Sequence, residues 1–366
     1  MAFTFTPLNQ SWIEPASEFV NSQFPEAVAT LGKLVKIPGI AWESFDSNSL
    51  DRSAAAVAAE LEALQMFDTV EIRRSAKPDG ELGAPAIVAR RAGASDAPHV
   101  LLYAHHDVQP PGARELWKTE PFEATLIGDR LFGRGASDDK SGIITHLYSL
   151  KTLKKLASSL RLGITVFIEG EEEAGSESFP NFLRENQADL AADLIIVADS
   201  GNWSEDVPAL TTSLRAMVSQ TFTIRTLDHA VHSGMYGGPL PDATGAMIKL
   251  LATLTDEQGN VAIAGLDSIP VDGPDLSDAE FGVAAGLLPG VKRLGTKSAT
   301  QQIWGEPAVT VIGMDIPQVD VSSNTAQPES RARISLRLAP SQDPDTGLEL
   351  LRQHISAYAP EGAVVE

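Results

Sequence analysis

Four polar clusters in this sequence stand where structure alone does not ask for them. His105-His106-Asp107 follows the apolar run 99–104. Gly170-Glu171-Glu172-Glu173-Ala174-Gly175 follows the run 162–169, and Asp199 follows 194–198. Asp138-Asp139 comes after the turn Gly133-Arg134-Gly135 and before a helical stretch that starts at Ser141. Taken singly, each has an ordinary explanation. A histidine can be a satisfied core residue, Asp138 can cap the next helix, and the acidic run 169–173 can be a solvated loop. Converging at one crevice, the same carboxylates repel one another unless cations neutralise them. Oxygen and imidazole donors without thiolate suit Zn²⁺, Mn²⁺ or Co²⁺, and the chain has no cysteine. The spacing His105-x-Asp107 meets a further requirement of such a site. On an extended segment, side chains two apart point the same way, so Asp107 can hold one imidazole nitrogen while the other faces a metal.

The elements that must position these residues alternate between helix and strand. Apolar spacing predicts helices over 51–67, 141–156 and 178–186, and strands over 69–74, 86–91, 99–104 and 162–169. Residues 194–198 (LIIVA) read as another buried strand, and 122–128 with 130–133 as a hairpin around Asp129. This alternation implies an α/β domain with a mainly parallel sheet, in which ligands bind beyond the carboxyl ends of the strands. After about Ser213 the pattern changes to strand 218–226, helix 242–254, strands 308–316 and 331–338, helix 346–358 and a last strand at 362–366. That order, βαββαβ, is the ferredoxin-like plan. The Gly-, Pro- and Asp-rich stretch 256–304 reads as an insertion of loops and short helices. The expected domains are 1–212, which carries the metal-binding clusters, and 213–366.

Composition narrows the function classes. A chain of 366 residues suggests two domains at about 100–200 residues each. Its 28 basic against 49 acidic residues give a net charge of -21, which repels phosphate backbones and argues against nucleic acid. No apolar run approaches the roughly 20 residues of a membrane span. The first ten residues lack the basic flank and apolar stretch of a signal peptide, so a cytoplasmic location is expected. HExxH, GxSxG and GxxxxGK[ST] are absent, and Gly133-x-Gly135 does not complete a dinucleotide fingerprint.

Tyr103-Ala104-His105-His106-Asp107-Val108-Gln109-Pro110 resembles the first metal motif of metallopeptidase family twenty, which holds carnosinases, cytosolic non-specific dipeptidases, aminoacylases and glutamate carboxypeptidases. Gly133-Arg134-Gly135-Ala136-Ser137-Asp138-Asp139-Lys140 resembles its second motif. Glu169-Gly170-Glu171-Glu172-Glu173-Ala174-Gly175-Ser176 resembles the third, in its dipeptidase form, and Asp199 matches the fourth. His232-Ser233-Gly234-Met235-Tyr236-Gly237-Gly238 is similar to the dipeptidase lid motif. The resemblance implies a zinc-peptidase fold whose ferredoxin-like part is an inserted lid and dimerisation domain, and a homodimer acting on small peptides. It implies two divalent ions, Zn, Mn or Co: His105 and Asp199 on one, Asp138 bridging, Glu173 on the second. Asp107 would orient His105 and Glu172 would be the general base. Glu171 takes no role and reads as a solvated side chain. His232 would steady the oxyanion in the partner's active site. Arg337 would bind the substrate carboxylate, although Arg331 and Arg333 share its strand parity and only the motif separates them.

The implied reaction is hydrolysis of dipeptides or short peptides with a free carboxylate. The alternatives are an N-acyl amino acid amidohydrolase of the same fold and a non-catalytic relative. The family also supplies a further metal-binding histidine near its C-terminus, which none of the seven histidines here matches, and the chain stops as a last lid strand begins. The expectation is therefore a truncated form of a longer enzyme that binds the second metal poorly and is inactive or nearly so.

Overall fold

The computed structural model describes residues 10–157, 159–204 and 206–366, and the chain divides into two compact units, the first reaching to Ala209 and the second Leu210–Glu366. In the first unit come α1 (Ile13–Val35), α2 (Asn48–Ala63), β1 (Thr69–Arg73), β2 (Ala86–Arg91) and β3 (His99–His105). The hairpin β4 (Thr125–Ile127) and β5 (Arg130–Phe132) follows, then α3 (Lys140–Leu156), β6 (Gly163–Glu169), α4 (Phe179–Glu185), α5 (Gln187–Leu190) and β7 (Leu194–Val197).

The central sheet has the order β1-β2-β6-β3-β7. β3 pairs in parallel with β6 and β7, while β2 is antiparallel to both β1 and β6. Four strands thus run one way and β2 alone is reversed, so the sheet is mainly parallel as expected. Parallel register puts His105 opposite Glu169 and Tyr103 opposite Val197, so the carboxyl ends of β3, β6 and β7 form one row.

Every residue of β6 is buried, as a strand covered on both faces requires. One face packs Ile87, Ala104, Val166 and Ile168 against Val57 and Leu61 of α2 and Ile143, Leu147 and Leu150 of α3. On the other, Phe167 stacks on Phe182 and Phe179, with ring centroids 5.1 and 5.9 Å away. β7 corrects the buried reading of LIIVA. Among the described residues it pairs only with β3, at the sheet edge, and Leu194, Ile195, Ile196 and Val197 are 44–59% exposed. An apolar run without alternation marks a strand but not which neighbours cover it.

No strong periodicity announces α1, because Pro25 interrupts it and only Ala27, Thr30, Leu34 and Val35 are buried. Its C-terminus is closed from elsewhere in the chain. Lys140 is 1% exposed, and its Nζ donates to the carbonyls of Leu34 at 2.8 Å and Ile37 at 2.7 Å, adding a charged donor to the backbone turns that close the helix end.

The second unit contains β8 (Ala216–Arg225), β9 (Val231–His232), α6 (Ser233–Tyr236), α7 (Ala243–Ala252), α8 (Asp278–Ala285) and α9 (Ala299–Trp304). After these come β10 (Ala308–Asp315), β11 (Thr325–Ala326), β12 (Glu329–Leu338), α10 (Pro344–Tyr358) and β13 (Val364–Val365). Its main sheet is antiparallel, in the order β10-β12-β8-β13, which is the strand order of the split βαβ plan. Strict alternation along β12 buries Ala332, Ile334, Leu336 and Leu338 against Met247 and Leu250 of α7 and Leu351 and Ile355 of α10. The same alternation leaves Arg331, Arg333 and Arg337 on the exposed face. Among the described residues, no helix is long and apolar enough to cross a membrane.

Lys140→Met removes both charge-assisted bonds at the end of α1 and leaves the Leu34 and Ile37 carbonyls only their local backbone donors. We expect a loss on the order of 2–3 kcal/mol, read in metal-free protein as a lower urea midpoint with an unchanged m value. An unchanged midpoint would mean that the lysine does not close the helix.

Candidate metal centre

His105, the last residue of β3, is 1% exposed. Its Nε2 lies 3.0 Å from Asp138 Oδ1, 3.9 Å from Asp199 Oδ2 and 4.0 Å from Glu172 Oε2. Donor atoms of His105, Glu172 and Asp199 fall within 4.8 Å of one another, as do those of His105, Asp138 and Glu173. The imidazole is the shared corner of two overlapping triads. Its Nδ1 sits 3.1 Å from the backbone oxygen of Asp107 and 3.3 Å from Asp107 Oδ1.

Asp107 does more than orient the ring. Fully buried, its carboxylate also accepts the backbone N–H groups of Glu172 at 3.2 Å and Glu173 at 3.1 Å. It therefore locks the turn after β6 to the end of β3. Asp139 adds a second lock, accepting the backbone N–H of His105 at 3.1 Å. Gly142 is required beside it, since a Cβ there would collide with the Asp139 carboxylate and the Ala198 carbonyl. Asp199 is carried by the residues just past β7, where Ala198 donates its N–H to Tyr103 at 2.9 Å.

Glu171 is not solvated, contrary to the sequence reading. It is 6% exposed, and its two oxygens accept the backbone N–H groups of Ser178 at 2.6 Å and Ala84 at 3.0 Å. The acidic run thus faces two ways, with Glu171 turned into backbone amides and Glu172 and Glu173 turned toward His105. His106 also faces elsewhere, its ring between Ser53 Oγ at 3.1 Å and the Pro85 carbonyl at 2.8 Å. Burial pushes that ring down to about 4, a neutral core histidine.

Electrostatics separate the members. Burial works against a charge on His105, but the hydrogen bond and charge of Asp107, with Asp139 and Asp199, push it up to about 10. Burial raises Asp139 to about 7 against the pull of His105. Glu172 and Asp199 are raised by burial, then lowered in part by His105. Their side chains and that of Asp138 remain open, at 40%, 33% and 65% exposure. Carboxylates held this close with one imidazole between them are a site for added positive charge.

The donor set fits divalent metal. It offers one imidazole nitrogen and several carboxylate oxygens, the set that suits Zn²⁺, Mn²⁺ or Co²⁺. Donors about 2.1 Å from a tetrahedral zinc stand about 3.4 Å apart, within the span of the His105 separations. The far nitrogen is already held by a carboxylate, as a metal-bound histidine requires.

Of the residues picked from sequence, the first unit brings together His105, Asp107, Asp138, Glu172, Glu173 and Asp199. His232 and Arg337 belong to the second unit. His232 ends β9, where β11 pairs it with Thr325, and its exposed ring accepts the N–H of Gly234 on Nδ1 at 3.0 Å. Accepting on Nδ1 leaves Nε2 as the ring's donor. Arg333 donates to Ser219 Oγ at 3.1 Å and Arg331 lies 4.0 Å from Asp315. Arg337 neighbours Arg215, which burial and then the Arg337 charge hold below its ordinary value. Sequence reasoning missed Gln109, Asp139, Lys140 and the real task of Glu171. All four lie inside the quoted motifs, but only the fold shows which backbone groups they meet.

The family model described as Peptidase family M20/M25/M40 matches residues 101–329, which contain every one of these picks except Arg337. The chain belongs to this peptidase family. The resemblance drawn from the motifs therefore holds. The peptidase is 32% identical over all of its length to the cysteinylglycine-S-conjugate dipeptidase of Corynebacterium striatum, covering 76% of that protein. It is 25% identical over 96% of its length to the Beta-Ala-His dipeptidase of Rattus norvegicus, covering 75% of it. In fold it is similar to the dipeptidase Dug1p from Saccharomyces cerevisiae, with a TM-score of 0.75 at 20% identity over 98% of this chain and 80% of that one. Human carnosine dipeptidase 1 follows with a TM-score of 0.74 at 22% identity over 96% and 79% of the two chains. The last two show the fold alone.

If Asp107 holds both His105 and the 172–173 turn, Asp107→Asn should weaken metal binding roughly 10–100-fold, the usual effect of losing a ligand's supporting partner. Competition with a chromophoric chelator measures it, and wild-type affinity in the variant would remove Asp107 from the centre.

Proposed function

We propose that the peptidase is a two-metal dipeptidase which hydrolyses the peptide bond of dipeptides carrying a free carboxylate. The observation that carries this reading is the pair of triads sharing His105, with Glu172 in one and Glu173 in the other. The names of the relatives, dipeptidases for cysteinylglycine conjugates and for Beta-Ala-His, support the substrate class. His105 and Asp199 would hold one ion and Glu173 the second, with Asp138 shared between them; Zn is the first choice, with Mn or Co as alternatives. Bound there, two divalent ions acidify a shared water and polarise the scissile carbonyl.

Glu172 takes the proton from the attacking water and returns it to the leaving amine. The Asp107 carboxylate that pins its backbone N–H keeps the base in place as charge moves. The second unit serves as an inserted lid and dimerisation domain of a homodimer. From it, the Nε2–H of His232 donates to the developing oxyanion in the partner's active site, as a preorganised donor does. Arg337 grips the substrate carboxylate through a bidentate pair.

Two experiments on the full-length protein test this. Glu172→Gln keeps size and removes the base, so kcat should fall roughly 10²–10⁴-fold while metal affinity changes little. Near-normal turnover would mean that the base is elsewhere. Arg337→Ala should raise KM for free dipeptides far more than for their C-terminal amides. Equal effects on both would assign the arginine to structure, and faster turnover of N-acetyl amino acids than of dipeptides would overturn the substrate class.

A further inference from the structure

Gln109 lies in the first metal motif, and the proposed mechanism leaves it without a task. Its Nε2 donates to Glu173 Oε2 at 2.6 Å and reaches the Glu173 carbonyl at 3.4 Å. A carboxylate only accepts, so the group facing it is the amide's NH₂ end.

The segment that carries Gln109 is tied down on both sides of it. Val108, fully buried, donates its N–H to the Gly39 carbonyl at 2.9 Å. The carbonyl of Pro110 accepts from Arg134 at 3.2 Å, and that of Pro111 from the Trp117 indole at 2.7 Å. Arg134 in turn lies over the Trp117 ring, 5.3 Å from its centre. Side chains supported this way hold their geometry before a ligand arrives. The brace reaches the Glu173 carboxylate, while the Asp107 carboxylate holds the Glu173 N–H.

We propose that Gln109 is a positioning residue that makes Glu173 a one-oxygen metal ligand. An oxygen engaged in a short charge-assisted hydrogen bond is the poorer donor to a cation, so with Oε2 turned to the amide, Oε1 is the oxygen that would take the metal. The braced segment 108–117 thereby sets the geometry at one ion only, the one Glu173 holds, and leaves the His105–Asp199 side untouched. This inference rests on the two-metal reading above.

Calorimetric titration of Zn²⁺ into metal-free full-length protein tests it, on wild type, Gln109→Ala and Gln109→Met. Two binding events are expected in wild type. One should weaken roughly 10–100-fold in both variants, with the other unchanged and the metal-free melting temperature held. Variants that bind both ions as wild type does, or that lose both equally, would overturn the proposal, as would full recovery in the shape-matched Met variant. A single event in wild type would instead count against the two-metal reading. The hydrogen bond is decided separately, by the side-chain amide resonance of Gln109, assigned by its disappearance in Gln109→Met. Glu173→Ala should move the amide proton of Gln109 upfield. An unmoved resonance would overturn the proposal whether or not metal binds.

Discussion

The arrangement of the site depends on one buried carboxylate. Asp107 has no solvent exposure, and an isolated charge in such a place is very costly. It is tolerated because it meets the His105 ring and two backbone N–H groups at once. Those partners come from the ends of two neighbouring parallel strands. Satisfying the charge therefore fixes the distance between the imidazole and the turn that bears Glu172 and Glu173. A neutral or shorter side chain would leave either the ring or the turn without its anchor.

Sheet topology makes that meeting possible. In a parallel pair, the same ends of β3 and β6 lie side by side, so residues leaving both strands enter the same space. β3 sits between β6 and β7, which is why the histidine cluster is central and the two acidic contributions flank it. Asp138 arrives differently, from the turn ahead of α3. The next two residues secure that turn: Asp139 to the backbone of His105 and Lys140 to the end of α1. Three consecutive residues thus have three separate tasks, one facing the centre and two building its floor.

Much of this could be read in the sequence, and the limits have physical causes. Period and turn residues located β2, β3 and β6 nearly to the residue, because apolar runs between turns define short strands well. The edge position of β7 could not be read, since exposure depends on which strand lies next to it. α1 escaped because its buried face is confined to its last turns and a proline stands inside it. Among the candidate site residues, His105, Glu172, Glu173 and Asp199 could be named because they follow strand ends, and Asp138 because it lies in a turn that matches a family motif. Glu171 was misread because one of its two amide partners, Ala84, is 87 residues away. Gln109 and Asp139 have the same difficulty, as side chains whose meaning lies in a backbone or carboxylate met only after folding.

The acidic residues of the first unit divide by what accepts their charge. Asp107, Asp139, Glu169 and Glu171 are all buried, and protein donors meet each of them. Backbone N–H groups serve the first two and Glu171, while Tyr103 and Ser176 hydroxyls serve Glu169. Asp138, Glu172 and Asp199 stay partly open and gather on one imidazole instead. The first set is neutralised by folding, and its burial fixes the framework. The second set keeps its electrostatic demand after folding is complete. A chain with 49 acidic residues hides such a set well by composition, because a solvated surface would account for nearly all of them. Backbone and hydroxyl donors separate the two sets, and the carboxylates left to share a single imidazole are the ones a divalent cation would answer.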